Sequence, residues 1–322
     1  MIEQREDHGI SIILADAEDA LGLRFADLPE DVTLVRVPDP PESAWSDLDR
    51  VGFVRKPAWV TWVTGAGADE AAWLASLSAT TRHHLRRAWR ATASLDISCE
   101  RPLPPVVLDE FLALYEPMVA GMRHGVGFAA DLRASLVQDQ SAFIVLARDA
   151  DVLVGGCIGR EDSSTGRVLL RFAAVSPAWR ERNLFRVLYS RAITVARDFG
   201  YALVTAGNDP NLYGHIPEPG LLSFKARLGF TPVPAQPFGV SDWRDEADLI
   251  VSLRGLTAPA LLLGYPRFTP RPDGNVRFDL HAFGPSPVTQ GDYPWSFIGD
   301  VLFRQFDPCR PVRGSSSTRP CP

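Results

Sequence analysis

Lysine is scarce in this chain of 322 residues, because only Lys56 and Lys225 of its 33 basic side chains are not arginine. A lysine at position 225 therefore suggests a task that arginine does not perform. A compact ammonium donates to a single oxygen, whereas a guanidinium forks across two. This property suits a developing oxyanion on a tetrahedral acyl intermediate, or a phosphate or ribose oxygen. The plainer alternative is a solvated lysine on a helix, and the adjacent Phe224 either lines a ligand channel or belongs to the core.

A second group of polar residues lies in residues 207–219, a predicted loop that follows a buried strand. Loops at strand ends carry functional side chains more often than cores do. Asp209 or His215 could take a proton from an attacking amine. Asn211 and Tyr213 belong to the same loop, and the alternative is that Asp209 and Asn211 only cap turns.

The residues that lead into a long predicted helix could bind phosphate. Arg180 and Arg182 precede this helix, and Asn183 stands at its start. The N-terminus of a helix presents N–H groups to anions, and guanidinium groups pair with phosphate oxygens. The alternative is a pair of solvated arginines.

Residues 82–90 form the most concentrated basic segment, with four arginines and no acid. On a helix, Leu85 and Trp89 would share a buried face because they are four residues apart. The arginines would cover the rest of the surface and could contact the backbone of a tRNA. A solvated face, or pairing with the acidic N-terminal half, is the alternative. The arginines are Arg82, Arg86, Arg87 and Arg90.

Composition limits the possible functions. The length suggests two domains with an appendage, and the net charge of −6 argues against a nucleic-acid binder that is basic throughout. No apolar run approaches the roughly 20 residues of a membrane span, and the acidic start lacks the regions of a signal peptide. We therefore expect a cytoplasmic protein. The cysteines have no metal-ligand spacing, so we predict no metal site and reduced thiols at Cys99, Cys157, Cys309 and Cys321.

Hydrophobic periodicity predicts a mixed order of strands and helices. The first part contains predicted strands at 11–14, 32–37, 58–63 and 95–98, with a helical pattern from Asp69 through the basic segment. Helices at 108–122 and 130–139 follow, then strands at 142–148, 152–159 and 167–175. A helix at 183–199, a strand at 202–205, a helix at 221–228 and a strand at 229–233 come next. One more strand is predicted at 275–280, and the Arg/Pro/Ser-rich residues from 307 are expected to be disordered.

From residue 142 onward, the order of elements resembles the GNAT acyltransferase fold: three strands, a helix, a strand, a helix and a strand. The sequence Leu228-Gly229-Phe230 closes the unit as it does in that family. The resemblance implies that the third strand splays from its neighbour. Backbone groups exposed near Val175 would then hold the thioester arm of an acyl donor.

The loop into the long helix usually reads Q/R-x-x-G-x-G/A in GNAT enzymes. Residues 180–185 keep the arginine and lack both glycines. Asn183 tolerates unusual backbone angles and could replace the first glycine. Phe185 cannot mimic the second, because its bulk blocks the close approach of a phosphate.

A more specific resemblance lies in residues 219–230. Gly220, Leu221, Phe224 and Lys225 match the Gly-Leu-x-x-Phe-Lys signature of FemABX-type enzymes. The similarity extends over about residues 75–235. It implies two GNAT-like halves and, as in several members of this group, aminoacyl-tRNA as a donor in place of acyl-CoA. Lys225 and backbone N–H groups would stabilise the oxyanion, and transfer without an obligate base is also possible.

These observations predict an α+β protein with a GNAT-like mixed sheet flanked by helices. Residues 1–100 would form a degenerate N-terminal half, residues 101–255 the acyltransferase domain, and residues 256–322 a C-terminal extension. The predicted function is transfer of an acyl or aminoacyl group to the amine of a small molecule or peptide. The donor, aminoacyl-tRNA or acyl-CoA, would be a co-substrate, and no permanently bound cofactor is expected. The alternatives are an acyl-CoA-dependent N-acetyltransferase and a non-catalytic binding or regulatory protein; the acceptor and the oligomeric state stay open.

Overall fold

A computed structural model describes residues 2–24, 27–125, 127–238, 245–266 and 277–306. The region from residue 307, which includes Cys309 and Cys321, lies outside the described residues, as do residues 275 and 276 of the last predicted strand. Contacts between residues define two compact units, each assembled from separate stretches of chain. Unit 1 comprises Met1–Thr61, Asn208–Ser223 and Pro232–Pro322, and unit 2 comprises Trp62–Gly207 and Phe224–Thr231. The predicted division into two GNAT-like halves and a C-terminal extension stays a prediction.

Strands and helices are interspersed along the chain. The first part contains β1 (Ile2–Asp7), β2 (Ile10–Ala15), α1 (Ala17–Gly22), β3 (Val32–Pro38), α2 (Trp45–Arg50), β4 (Val54–Lys56), β5 (Trp59–Gly65), α3 (Glu70–Ser76), α4 (Ala79–Ala91) and β6 (Asp96–Glu100). The middle contains α5 (Pro105–Ala120), α6 (Phe128–Asp131), α7 (Arg133–Gln138), β7 (Ala142–Asp149), β8 (Val152–Asp162), β9 (Arg167–Val175), α8 (Pro177–Arg180), α9 (Leu184–Asp198) and β10 (Leu203–Pro210). The last part contains α10 (Pro219–Arg227), β11 (Thr231–Pro234), β12 (Glu246–Ile250), β13 (Ala260–Gly264), β14 (Phe278–Gly284) and β15 (Ile298–Gln305).

The α+β class is confirmed, with mixed sheets flanked by helices. A seven-stranded sheet has the order β11-β5-β10-β9-β8-β7-β6. Its strands β6 to β9 are antiparallel to one another, whereas β10 runs parallel to β9. The predicted GNAT-like order, from the three strands β7, β8 and β9 through α9, β10 and α10 to β11, is confirmed.

Glycines in β8 allow helices to pack closely on the two faces of the sheet. A Cβ atom on Gly155 would lie 2.9 Å from Leu184 of α9, and one on Gly156 would lie 2.8 Å from Phe111 of α5. Successive residues of a strand face opposite sides, so these two glycines serve opposite helices. They mark close approach of neighbouring elements and do not form a phosphate loop.

Polar caps fix where the helices of unit 2 begin. The carboxylate of Asp69 accepts the Ala72 N–H at 2.7 Å at the start of α3, and the hydroxyl of Ser78 accepts the Thr81 N–H at 3.1 Å at the start of α4. Each cap satisfies a backbone donor that the helix leaves unpaired. The predicted beginning of a helix at Asp69 is thereby confirmed.

The predicted buried face of α4 was half wrong. Leu85 is buried, but Trp89 is 37% exposed, and Ala88 takes its place on the buried side. Thr92, just beyond the helix, is also buried. The buried stripe therefore follows a spacing of three and four residues through Leu85, Ala88 and Thr92, which turns Trp89 outward.

Unit 1 contains a five-stranded sheet with the order β1-β2-β3-β12-β4 and a three-stranded sheet with the order β13-β14-β15. Alternate residues of β3 face two apolar clusters: Val35 and Val37 belong to one, and Leu34 to the other. The strands β1, β4, β12, β13 and β15 were not predicted. No helix in the described ranges is both long enough and apolar enough to cross a membrane.

Candidate functional site

The splay predicted at the third strand of the GNAT-like core is present at β9. Residues 203–205 of β10 pair with residues 167–169 of β9, and the ladder ends there although β9 continues to Val175. The other edge of β9 stays paired with β8 up to the pair of Val175 and Gly155. Beyond residue 169, the edge of β9 that faces away from β8 is therefore not held by the β10 ladder.

Backbone groups near Val175 point toward this opened edge. The Ser176 N–H donates to the Val154 carbonyl at 2.9 Å, so residue 176 directs its backbone toward the β8 side. Because successive residues in a strand alternate the direction of their N–H and C=O groups, those of Val175 point to the opposite side. An N–H and a carbonyl at this place can hold an amide or thioester group of a ligand.

The loop into α9 has the backbone geometry that a glycine would supply. Asn183 has φ 61° and ψ 33°, in the left-handed region, and it is the N-cap of the helix. Its side-chain oxygen accepts from the Arg186 Nε at 3.4 Å, and its carbonyl accepts the Arg186 N–H at 3.0 Å. The expectation that Asn183 adopts the conformation of the first missing glycine is met. Arg180 and Arg182 are exposed beside it, and the guanidinium of Arg182 stacks 4.4 Å from the Trp179 ring centroid.

Phe185 contributes its bulk to an aromatic cluster on α9 and α10. Its ring packs edge-on against Phe224 at 6.0 Å between centroids, and Tyr189 contacts Phe224 at 5.7 Å and Phe230 at 6.2 Å. All these residues belong to unit 2. Phe224 is half-buried, so it combines a packing role with a partly accessible ring.

Lys225 is buried, with 5% of its surface exposed. Its ammonium lies 5.9 Å from the centroid of the Trp62 ring, a distance at which a cation is attracted to the face of an indole. The alternative of a solvated lysine does not hold. A buried ammonium is costly unless neighbouring groups or a ligand compensate its charge. Sequence reasoning missed Trp62, because only the fold brings it to α10.

A cationic cluster forms where α4, α9 and α10 meet in unit 2. The Arg186 Nη1 donates to the Arg227 carbonyl at 3.3 Å. Burial first, and then the charge of Arg227, lower the pKa of Arg186. Desolvation, followed by the charge of Arg186, lowers the pKa of His84, and Arg87 adds to this effect. In the part of the chain that the structure describes, none of these three arginines forms an ion pair with a carboxylate.

The four arginines predicted as a tRNA contact do not act alike. Arg82 donates to the carbonyls of Leu74 and Leu77 at the end of α3, and this contact stabilises the α3–α4 turn. Arg86, Arg87 and Arg90 are exposed. Within the described ranges none of the four is in a salt bridge, so the alternative of ion pairing finds no support there. Arg186, Arg227 and His84 were missed as members of this cluster. Arg186 and Arg227 lie within three residues of Asn183 and Lys225 in sequence, and His84 lies within the basic segment 82–90.

Asp209 lies in unit 1, buried at 6% exposure. The hydroxyl of Tyr213 donates to its Oδ2 at 3.1 Å. The amide of Asn211 is also buried and is used in three hydrogen bonds to backbone groups, so Asn211 has a structural role. Asp209 is held in a defined orientation, as a proton acceptor needs to be.

His215 serves as an anchor in this arrangement. Its Nε2 lies 3.0 Å from the Asp7 carbonyl and 3.2 Å from the His8 carbonyl. Carbonyl oxygens only accept, so Nε2 carries a proton and donates it to both. That nitrogen therefore cannot act as a base here, and the geometry favours Asp209 over His215.

The two thiols within the described residues, Cys99 and Cys157, do not supply an alternative nucleophile. Cys157 is fully buried, and burial raises its pKa to about 12. Burial likewise raises the pKa of Cys99. A thiolate is the reactive form, and it is disfavoured at both positions at neutral pH. Among the described residues, no group of three or more histidines, cysteines or acids could hold a metal ion.

Comparison with known proteins gives likeness at the level of fold. No protein-family model matches the chain. No curated protein matches it in sequence either.

Solved structures similar to this chain include FemX, with 12% identity and a TM-score of 0.42 over 77% of this chain and 83% of that one. The C-terminal domain of a putative lysylphosphatidylglycerol synthetase from Agrobacterium fabrum has 14% identity and a TM-score of 0.41 over 77% and 80%. A tandem GNAT protein from the clavulanic acid biosynthesis pathway has 13% identity and a TM-score of 0.37 over 68% and 65%. The predicted resemblance to tandem GNAT and FemABX-type proteins is found again here. At these identities and TM-scores, conclusions about activity rest on the chain's own residues.

Proposed function

We propose that this protein is an acyltransferase that moves an acyl or aminoacyl group from an activated donor to an amine. The opened edge of β9 beyond residue 169 is the observation that carries this proposal. An acyl donor needs an N–H and a carbonyl beside its reacting carbonyl, and Val175 presents both there. Attack by the amine forms a C–N bond and a tetrahedral oxyanion, which then collapses and expels the thiol or tRNA hydroxyl of the donor.

Lys225 is the proposed cation for the negative charge in this reaction. Its ammonium is removed from bulk water, so its attraction to an anion is screened less than that of a surface lysine. An oxyanion at the reacting carbonyl or a phosphate of the donor would supply that anion. The contact with Trp62 limits the positions that the ammonium can take.

The donor phosphates are assigned to the cationic cluster of His84, Arg87, Arg186 and Arg227. Like charges held close together repel each other, and an anion that enters between them relieves that repulsion. Both candidate donors carry phosphate: an aminoacyl-tRNA as a polymer and an acyl-CoA as a few groups. The exposed arginines of α4 extend the cluster, which favours a polynucleotide. The left-handed Asn183 favours the second candidate, an acyl-CoA, because it restores part of the GNAT phosphate loop.

Lysine-selective NMR provides a direct test. Protein labelled with 13C,15N-lysine gives side-chain signals from only Lys56 and Lys225, and a Lys225→Arg variant assigns them. Titration with coenzyme A or with aminoacyl-tRNA should shift the Lys225 signals and leave those of Lys56 unchanged. Lys56 is a matched internal control, because it is also fully buried but lies in unit 1. Unmoved Lys225 signals at saturating concentrations of both donors would contradict the proposed role.

Salt dependence separates the two donors. If a polynucleotide binds, an Arg186→Gln/Arg227→Gln variant should lower the slope of log affinity against log salt by about 1 to 2, since each lost phosphate contact contributes about 0.9. Coenzyme A, with fewer phosphates, should show a weaker dependence on salt. Productive transfer is then measured by mass spectrometry with a panel of amino sugars, polyamines and dipeptides as acceptors. Donor binding without transfer to any amine would favour a binding protein.

A further inference from the structure

The free edge of the C-terminal three-stranded sheet is occupied by the chain that follows Asp209, which lies near the end of β10. The acceptor loop, defined here as the end of β10 and the residues after it (208–218), lies in unit 1 together with β13. The Tyr213 N–H donates to the Leu261 carbonyl at 2.9 Å, and the Leu261 N–H donates to the Tyr213 carbonyl at 2.7 Å. This pair is an antiparallel bridge, so the loop extends the sheet beyond β13.

The side-chain carboxamide of Asn211 continues this bridge and makes the hydrogen bonds that a backbone peptide group would otherwise make. Its Nδ2 donates to the Leu263 carbonyl at 2.8 Å, and its Oδ1 accepts the Leu263 N–H at 2.9 Å. In an antiparallel ladder, the residue two before Tyr213 pairs with the residue two after Leu261. That residue is Leu263, so the carboxamide occupies the position that a peptide group would take.

The backbone of Asn211 is thereby free to bond elsewhere. Its N–H donates to the Ala58 carbonyl at 3.0 Å, and its Nδ2 also donates to the Pro57 carbonyl at 3.0 Å. One buried residue therefore joins β13 to the segment that leads into β5. An amide has two donor hydrogens and an acceptor oxygen, and all of these are used.

The end of the acceptor loop is fixed by a close backbone approach. The Thr257 N–H donates to the Gly214 carbonyl at 2.6 Å, and Gly214 has φ 104°. A Cβ atom at this position would collide with the Thr257 carbonyl oxygen. The loop is thus held at Asn211, Tyr213 and Gly214 by residues 257–263.

We infer that residues 257–263 are a frame for the acceptor loop, and that Asn211 and Tyr213 are positioning residues for Asp209. Asn211 and the Tyr213 backbone fix the loop, and the Tyr213 hydroxyl orients the Asp209 carboxylate. The inference rests on the proposed function and adds to it that Asp209 takes the proton of the attacking amine. It gives the C-terminal segment a role in catalysis that does not require it to contact substrate.

Amide hydrogen exchange tests the frame without any substrate. Asn211→Ala removes the acceptor of the Leu263 N–H, so exchange at Leu263 and across residues 209–213 should rise about tenfold, the effect of one lost hydrogen bond. Asn211→Asp has the same shape but places carboxylate oxygens against the carbonyls of Pro57 and Leu263, and it should act in the same direction. Amides of β7 and β8 in unit 2 are the control and should not change. Wild-type exchange at Leu263 in both variants would overturn the frame.

Tyr213→Phe tests the positioning of Asp209 and stays informative if the Asn211 variants do not fold. It keeps the backbone bridge, so exchange in the loop should match wild type. With an amine from the panel that turns over, kcat should fall on the order of tenfold, part of what a general base contributes, while KM is unchanged. Wild-type kcat in Tyr213→Phe, alongside an inactive Asp209→Asn, would overturn the role of Tyr213.

The proposed acyltransferase function and the inference about the frame would be contradicted by different results. If donors leave the Lys225 signals unmoved and no amine turns over, the proposed function fails, whereas the exchange at Leu263 still decides whether Asn211 holds the loop. If transfer occurs and Asp209→Asn is fully active, the acyltransferase proposal stands. In that case the inference that the frame positions a proton acceptor is overturned.

Discussion

Asp248 lies directly opposite Arg36 in the antiparallel pairing of β12 with β3, and two parallel hydrogen bonds of 2.7 and 2.8 Å join the two side chains. On the other side of β12, the ammonium of Lys56 contacts Asp248 at 3.1 Å and also pairs with Glu246. Two cations and two carboxylates are thus buried together on three strands. Burial raises the pKa of Asp248, but the charges of Arg36 and Lys56 outweigh this and hold the pKa below its ordinary value.

Asp248→Asn should strongly destabilise unit 1. The change leaves two buried cations with one carboxylate, and the loss of one partner from a buried ion pair costs about 3–5 kcal/mol. Urea unfolding should show this as an earlier transition. Asp47→Asn is the matched control, because Asp47 pairs with Arg50 in a surface ion pair whose side chains are 50% and 72% exposed. Its effect should stay below about 1 kcal/mol. Equal effects of the two substitutions would show that the buried network does not hold the strands together.

Asp162 should titrate near pH 2. The hydroxyl groups of Ser164 and Thr165 donate to its carboxylate, and they lower its pKa to about 2 from the usual 3.8. A depressed pKa in the folded state contributes stability above pH 3.8, and this stability is lost as the pH falls toward 2. Carboxyl 13C NMR should give a low midpoint in the wild type and a higher one in Thr165→Val. The same midpoint in both proteins would exclude the hydroxyl as a cause.

The stability of variants at Asn183 should follow how readily the new residue adopts the left-handed backbone conformation. With φ at 61°, Asn183→Gly should change the stability by no more than a few tenths of a kcal/mol, whereas Asn183→Ala should cost about 1–2 kcal/mol. Denaturant unfolding followed by circular dichroism measures both. An alanine variant as stable as the glycine variant would mean that the left-handed conformation is not required. Donor binding should be retained in Asn183→Gly, since glycine is the residue that the GNAT loop carries there.

Gly159→Ala should destabilise the β7–β8 pair. A Cβ atom at this position would collide with the ring of Phe143, which is fully buried and has no room to move. Overpacking of this kind costs about 1–3 kcal/mol. Gly121→Ala is the control in the same unit, because Gly121 has φ −78° at the end of α5 and its nearest neighbours would be 3.5 Å from the new atom. That control should be neutral or slightly stabilising in thermal unfolding, and a larger loss there than at Gly159 would contradict the packing argument.

The sequence predicts best those elements whose partners are near in the chain. The strands β7, β8 and β9 and the helix α9 carry uninterrupted apolar patterns, and their turns contain clear polar signals. β12 was missed because Glu246 and Asp248 make it read as a polar segment. Its strand pairing requires Arg36 and Lys56, roughly 200 residues away, to neutralise those acids. Because these partners are so far away in the sequence, no local pattern indicates that the two acids are neutralised.

The sequence identified those residues of the candidate site whose type was unusual at their position. Lys225 stood out because lysine is scarce, and Asn183 because it replaced a glycine. Trp62 and Arg227 were missed, since an indole near an ammonium and a carbonyl that accepts from Arg186 depend on how α10 packs. His215 was misleading for a related reason: the sequence cannot show that two carbonyls engage its Nε2.

The burial of both lysines bears on how the protein would tolerate an activated acyl donor. Thioesters and aminoacyl esters modify exposed amines spontaneously, and a protein that holds them for transfer is at constant risk of self-modification. Here Lys56 is 0% exposed and Lys225 is 5% exposed, and every other basic side chain apart from histidine is a guanidinium, which does not react in this way at neutral pH. Both lysine side chains should therefore be resistant to acylation by reactive thioesters and esters. For the same reason its lysine side chains should be nearly inert toward amine-directed dyes, cross-linkers and coupling resins.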